Sequence, residues 1–425
     1  MAEQVSSLKT GVKYKDTPIG KIPIDWEAVR LGDICRVIGG STPSTNKREY
    51  WNGEIPFATP TDITNLKGRE ISDTKQRITL EGLSSCGTNL LPVGTILLTS
   101  RATIGAYAIN TKPMATNQGF ASLVCNERAY NWFIFYKISS LIPELQRLGS
   151  GSTFKEVSKM SIRSLIFALP PISEQKKIAE ILGTIDEAIE KTDEVIEKTK
   201  EVKKGLMQRL LTRGIAHKKF KKTEIGEIPV EWEIGPFSKI ADINPKRDLE
   251  RGTIYPFVEM AAIDSESHRV HFSEPRKYEG SGTRFQNRDT LFGRITPCTE
   301  NGKTAYVDFL KENKFGHGST EFIILGPKKN VDPKFIYYCA KWDKVRNIAV
   351  SKMEGTSGRQ RVPIRVFLED IFIPIPTFPE QQQIAEILSF VDEEIEGESN
   401  HKDQLESLKK GLMQVLLTGK IRVSV

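Results

Sequence analysis

From Glu174 to Thr212 no proline interrupts the chain, and apolar residues return at seven-residue intervals. Ile178, Ile185 and Leu206 form one column; Ile181, Ala188, Val195 and Val202 a second; Leu182, Ile189, Ile196 and Leu210 a third. A stripe of this period lies along one face of an α-helix and buries itself against another helix. Pro170 and Pro171 precede the run, Ser173 is a candidate N-cap, Glu174 suits the positive end of the helix dipole, and Gly214 marks a stop. The pattern predicts one helix of about 39 residues, roughly 58 Å long. A second stripe follows Glu380, with Ile384, Val391, Leu405 and Leu412, then Ile387, Leu408 and Val415, then Leu388, Ile395 and Leu416. Its middle, Gly397 to His401, is polar, so a kink or fraying is expected there. Residues 17–170 and 223–376 instead alternate short apolar runs with Gly, Pro and Asn. Ile96-Leu97-Leu98, Phe120 to Val124, Phe322 to Leu325 and Ile371-Phe372-Ile373 read as strands.

The chain is written twice. Thr17 to Val29 (TPIGKIPIDWEAV) matches Thr223 to Gly235 (TEIGEIPVEWEIG) at an offset of 206. At the same offset EQKKIAEILG (174–183) faces EQQQIAEILS (380–389), and KKGLMQRLLT (203–212) faces KKGLMQVLLT (409–418). Between these anchors the copies diverge, with scattered matches such as Phe120, Phe133 and Tyr136 against Phe322, Phe335 and Tyr338. The segment after each helix corresponds to the one before the first block, so the repeat closes like a ring. Two units are too few for a solenoid, and the pattern points to a pseudo-twofold particle whose helices run antiparallel and hold the blocks apart. The same stripe would also serve a coiled coil between separate chains. The expected fold class is α+β: two globular α/β domains, residues 1–172 and 215–378, separated by two long antiparallel helices, residues 173–214 and 379–425.

Within the blocks, polar loops hold basic residues beside small flexible ones: Ser44-Thr45-Asn46-Lys47-Arg48, Gly149 to Lys155, and Gly355 to Arg361. Such loops can approach a phosphate backbone and reach base edges. Arg101 and Arg294 each follow a predicted strand, and arginine can grip guanine O6 and N7 together. Lys47, Arg48, Arg101, Lys155, Arg294, Arg359 and Arg361 are therefore the candidate DNA-binding residues, against the plain alternative of solvated surface charge.

The 425 residues suit two domains of about 150 residues plus extra elements. Lys and Arg exceed Asp and Glu by 61 to 54, a net +7 that permits a nucleic-acid partner without requiring one. The N-terminus lacks an apolar run behind a basic start, and no stretch of about 18 apolar residues occurs, so a cytoplasmic protein with no membrane partner is expected. Cys35, Cys86, Cys125, Cys298 and Cys339 show no C-x-x-C pair and read as reduced thiols, and His268 with His271 is a lone pair without further ligands. No metal site is expected.

Catalytic motifs are not matched. Gly302-Lys303-Thr304 imitates the end of a phosphate-binding loop, but Pro297 stands where its first glycine belongs. Asn244-Pro245 opens like an amino-methyltransferase motif, but Lys246 replaces the second proline. Asp308, Glu312 and Lys314 offer only a faint nuclease pattern, and no dinucleotide-binding glycine pattern opens a helix. The expectation is a binding protein with no catalytic residues and no cofactor.

The order of block, helix, block, helix, with I-P-x-x-W opening each block and E-Q-x-x-I-A-E-I-L and K-x-G-L-M-Q-x-L-L-T marking each helix, resembles the specificity subunits of Type I restriction-modification systems. The resemblance spans nearly the whole chain. It implies two target recognition domains that each read half of a split double-stranded DNA sequence, and helices that fix the unread spacer. It further implies two methyltransferase subunits docked on the particle, bringing S-adenosylmethionine and adenine-N6 methylation, and separate ATP-dependent restriction and translocase subunits. The alternatives are a stand-alone DNA-modifying enzyme with duplicated recognition domains, which needs a cofactor motif, and a structural coiled-coil adaptor, which needs no large diverged blocks.

Overall fold

The computed structural model describes residues 8–9, 13–149, 155–310, 314–356 and 358–424. The chain divides into two compact units, Met1–Lys191 with Lys402–Val425, and Thr192–His401. Both long helices form as the periodicity predicts, Ile172–Arg213 and Phe378–Leu416. The second stays helical through Gly397 to His401, so the segment does not fray. Gly214 ends the first helix at φ +62°, and a Cβ there would collide with the Trp232 ring and with Glu380. Gly419 follows the second helix at φ +69° and lies in the same way against Pro23 and Trp26. Glycine is needed at both positions for conformation and for space.

Each unit is built on the same sheet order. In the first, strand Cys35–Gly39 pairs with Ala121–Cys125, then Ile96–Leu98, Tyr107–Asn110 and finally Glu70–Ile71. In the second, Ala241–Ile243 pairs with Phe322–Pro327, then Thr290–Gly293 and Thr304–Tyr306. A smaller sheet around Trp51–Ala58 in the first unit has its counterpart around Ile254–Val258 in the second, where Thr283–Gln286 is an added strand. The sheets pack on helix Asn131–Leu148 in one unit and on Pro333–Lys341 in the other. Strand Ala121–Cys125 sets Cys125 opposite Cys35, with sulfurs 3.3 Å apart as free thiols, a proximity that their spacing in sequence hides. Strand Leu8–Lys9 pairs antiparallel with Arg422–Val423, as a ring-like repeat requires.

The repeated motifs are the bonds between block and helix. Trp26 is fully buried and donates its indole N–H to Glu174 at 2.9 Å; Trp232 does the same to Glu380 at 2.8 Å. Gln175 accepts from the Tyr130 backbone N–H and donates to the Pro170 carbonyl; Gln381 accepts from Asp332 N–H and donates to Pro376. Tyr136 donates to Asp186, which faces Lys409 at 2.5 Å; Tyr338 donates to Asp392, which faces Lys203 at 2.5 Å. In the first unit the contacts Glu174–Arg422 and Asp186–Lys409 show helix segments running in opposite directions, and Glu380–His217 and Asp392–Lys203 show the same in the second. The helix stripes therefore meet within the chain. One column on each helix departs from expectation: Val195 and Val202 are 45% and 56% exposed on the first, and Ile387 and Leu408 37% and 44% on the second, because a two-helix seam is too narrow to bury a third column.

Candidate nucleic-acid interface

In the second unit, strand Thr290–Gly293 runs out beside two other segments. Arg294 donates its backbone N–H to the Glu321 carbonyl at 2.9 Å, and Val362 donates to the Arg294 carbonyl at 2.8 Å. Glu354 and Arg361 exchange two backbone hydrogen bonds, closing a loop whose Gly355 and Gly358 both take positive φ. Across this junction the Arg361 guanidinium grips the Glu321 carboxylate, Nε lying 2.9–3.0 Å from both oxygens and Nη2 2.7 Å from Oε1. The contact holds the Glu321 carboxyl below its ordinary pKa, while burial pulls the Arg294 guanidinium down. The Nε–H of Arg294 is buried without an acceptor among the described residues. Arg359 stands exposed near the loop tip, its backbone N–H held by Thr356 and its side chain unpaired among the described residues.

The first unit repeats the backbone pattern with different side chains. Ser100 donates to the Gly119 carbonyl at 2.8 Å, and Val157 donates to the Ser100 carbonyl at 2.9 Å. Ser100, Gly119 and Glu156 thus occupy the places of Arg294, Glu321 and Arg361. The register also separates Arg101 from Arg294: Arg101 bridges Glu156 as Ile295 bridges Arg361, so the two arginines are one residue out of step and fall on opposite sides of an extended chain. Arg101 and exposed Lys155 are brought to one edge by the Arg101–Glu156 bridge, while residues 150–154 of that loop lie outside the described residues.

Lys47 and Arg48 lie on the exposed turn between strands Cys35–Gly39 and Trp51–Ala58. Lys47 donates to the Tyr50 hydroxyl at 3.0 Å, which holds its ammonium above the ordinary value, and Trp51 pins the turn through its indole N–H to the Ser44 carbonyl. Thr42 donates to Gln118 at 2.5 Å, tying the turn to the segment that Ser100 meets. The same turn in the second unit carries Lys246 and Arg247, which the sequence reading missed. Arg247 is held by the buried Asp289 carboxylate at 2.6 Å, and Lys246 is exposed beside a cleft of about 290 Å³ that Arg284 also lines. Glu321 was missed as well. Its only sequence signal is its position just before the Phe322 strand, where Gly119 precedes Phe120.

The motif look-alikes among the described residues take ordinary roles, and Glu312 lies outside them. Lys303 donates to the Met260 carbonyl, and Asn244 sits at φ +51° with its side chain accepting from Ile324 N–H. His268 accepts from Arg269, and no group of metal-ligating side chains occurs among the described residues. Among those residues no helix is long and apolar enough to cross a membrane.

A family model described as the Type I restriction modification DNA specificity domain matches the chain twice, over residues 23–199 and 229–407. The chain belongs to that family. Each match to the specificity domain opens at the proline three residues before the anchoring tryptophan and extends into a long helix. This specificity-domain protein is 28% identical over 432 residues to the Type I restriction enzyme MjaIX specificity subunit of Methanocaldococcus jannaschii, covering 97% of each chain. It is 30% identical over 448 residues to the putative type I restriction enzyme MjaX specificity subunit of the same organism, covering 96% of this chain and 97% of the other. Its fold matches the crystal structure of the Type-I restriction-modification system S subunit from M. genitalium at TM-score 0.57 and 13% identity, over 96% of this chain and 99% of that one.

Proposed function

We propose that the protein is the DNA-reading specificity subunit of a Type I restriction-modification complex, each unit reading one half of a bipartite double-stranded target. The observation that carries this reading is one backbone junction built twice and furnished differently: Ser100, Gly119 and Glu156 in the first unit, Arg294, Glu321 and Arg361 in the second. A pair of identical frameworks with unlike side chains at the same point suits two readers of unlike sequences. In this reading residues 1–172 and 215–378 are the target recognition domains, and the long helices assigned to 173–214 and 379–425, Ile172–Arg213 and Phe378–Leu416, set the spacer. Lys47, Arg48, Arg101, Lys155, Arg294, Arg359 and Arg361 contact DNA. The repeated helix motifs give two copies of one methyltransferase subunit equivalent seats. Methyl transfer and cleavage belong to the methyltransferase and restriction subunits, in the cytoplasm.

The test is exchange of residues 223–376 for the equivalent block of a relative, followed by methylome mapping of cells co-expressing the methyltransferase subunit. One half-site changes and the other is retained; a change in both defeats the two-reader reading. Transfer of labelled methyl groups by the purified protein alone would instead favour a stand-alone enzyme.

A further inference from the structure

The Arg361–Glu321 pair is held from both sides. Arg361 is paired through its backbone with Glu354, and Glu321 receives the Arg294 N–H on its carbonyl while its own N–H is bonded to the Ser319 hydroxyl at 3.2 Å. The Arg361 side chain is nevertheless 43% exposed, so the guanidinium is fixed and open at once. A guanidinium carries five N–H groups in a planar fork. Glu321 takes the hydrogen on Nε and one on Nη2, and the Arg359 carbonyl takes one on Nη1 at 3.4 Å. One hydrogen is left on Nη1 and one on Nη2, the two nitrogens of the guanidinium's terminal fork.

Two adjacent donors need two adjacent acceptors. In the major groove only guanine offers them, at O6 and N7; adenine sets a donor beside N7, cytosine presents a donor, and thymine offers one acceptor and a methyl group. A phosphate also accepts two such bonds, but the carboxylate beside the guanidinium opposes an approaching phosphate and cancels the charge that would attract it. A base edge is neutral and keeps the benefit of a fixed fork without that opposition. Resting on the DNA-reading proposal above, we propose that Arg361 reads a guanine in the half-site of the second unit and that Glu321 is its positioning residue. The first unit has Gly119 and Glu156 at these places and does not read guanine in this way.

The experiment is selection of a random 40-base-pair duplex pool by the full-length protein, with sequencing of the bound fraction, for wild type, Glu321→Gln, Arg361→Lys and Arg361→Ala. Wild type returns a bipartite consensus with guanine at one position that all three variants lose by about tenfold or more, the scale of one bidentate contact. The other half of the consensus is retained, which also certifies that each variant is folded. Placing 7-deazaguanine at that position weakens wild type and leaves Glu321→Gln unmoved. An Arg361→Ala protein with the wild-type consensus overturns the guanine assignment, as does one that binds every sequence equally less well, the mark of a phosphate contact. Wild type that selects no consensus overturns the specificity reading itself.

Discussion

Lys203 Nζ lies 2.5 Å from Asp392, with only 11% and 3% of the two side chains exposed. The carboxylate also accepts the Tyr338 hydroxyl, so three elements of the second unit meet at one buried charge. Breaking such a pair from one side strands the other charge. Lys203→Met is expected to cost about 3–5 kcal/mol, measured by urea unfolding. The double variant Lys203→Met, Asp392→Leu should recover most of that loss, because Ser389 remains to accept from Tyr338. A double variant no more stable than the single one would show that the loss is not a stranded charge.

Salt dependence distinguishes the two loop arginines. Arg359 is exposed and unpaired among the described residues, whereas Arg361 is committed to Glu321. Arg359→Ala should lower the log–log salt slope of DNA binding by roughly 0.9 while sparing the consensus. An unchanged slope would leave Arg359 as solvated surface charge.

Lys137 is buried, donates to the Leu417 carbonyl, and has its ammonium pushed down by burial to about 8. Between about pH 8 and the unfolded value near 10.5, the folded state binds fewer protons than the unfolded state, so wild-type stability gains with rising pH in that window. Below it the penalty is fully present. Lys137→Met lacks the effect and should be more stable than wild type at pH 7 by about 1–3 kcal/mol, the gap narrowing toward pH 10. Parallel urea titrations at pH 7 and 9.5 test this, and a constant gap would defeat it.

Asp186 and Lys203 are 17 positions apart on the first helix, as are Asp392 and Lys409 on the second, and these four residues make both Asp–Lys pairs. Four residues inserted after Lys191 alone would draw one helix about 6 Å out of register with its partner and destabilise the pairs. Four residues after Lys191 and four after Gly397 preserve the match. The double insertion adds about 6 Å and a net turn of roughly 40°, while one base pair adds about 3.4 Å and 34–36°. Phase decides over length, since a reader turned out of its groove loses its contacts. Methylome sequencing of the assembled variant should show the same half-sites one base pair farther apart; a folded, active variant with the old spacing would mean that the helices do not set the distance.

Much of this was legible because it is local or repeated. The prolines at 170 and 171, the glycine at 214 and the seven-residue period mark the first helix to within two residues of Ile172–Arg213. The pairing of the copies at an offset of 206 announces two similar units. The exposure of Val195 and Val202 was hidden because periodicity gives a face without giving its width. The polar middle of the second helix read as a weakness, yet propensity there is overridden by the packed segments on either side. The pairing of Glu321 with Arg361 was hidden for a different reason: the two lie 40 residues apart, and only the pairing of two strands and a loop brings the carboxylate to the guanidinium. Likewise Arg101 and Arg294 look equivalent when counted from apolar runs, and the hydrogen-bond register alone shows the one-residue step between them.

None of the anchoring bonds made by Trp26, Gln175, Asp186 or their counterparts uses a side chain from the loops proposed to read DNA. The near-identical segments KKGLMQRLLT and KKGLMQVLLT therefore give genetic exchange a place to act without cost to the framework. A crossover between them within one gene would excise 206 codons and leave a single block with a single long helix. Such a half-length chain would keep one Asp and one Lys of the Asp–Lys pairs, and an antiparallel second copy of itself would satisfy both. The duplicated anchors thus make specificity a heritable cassette, one that recombination can delete, double or trade while the bonds that hold it remain the same.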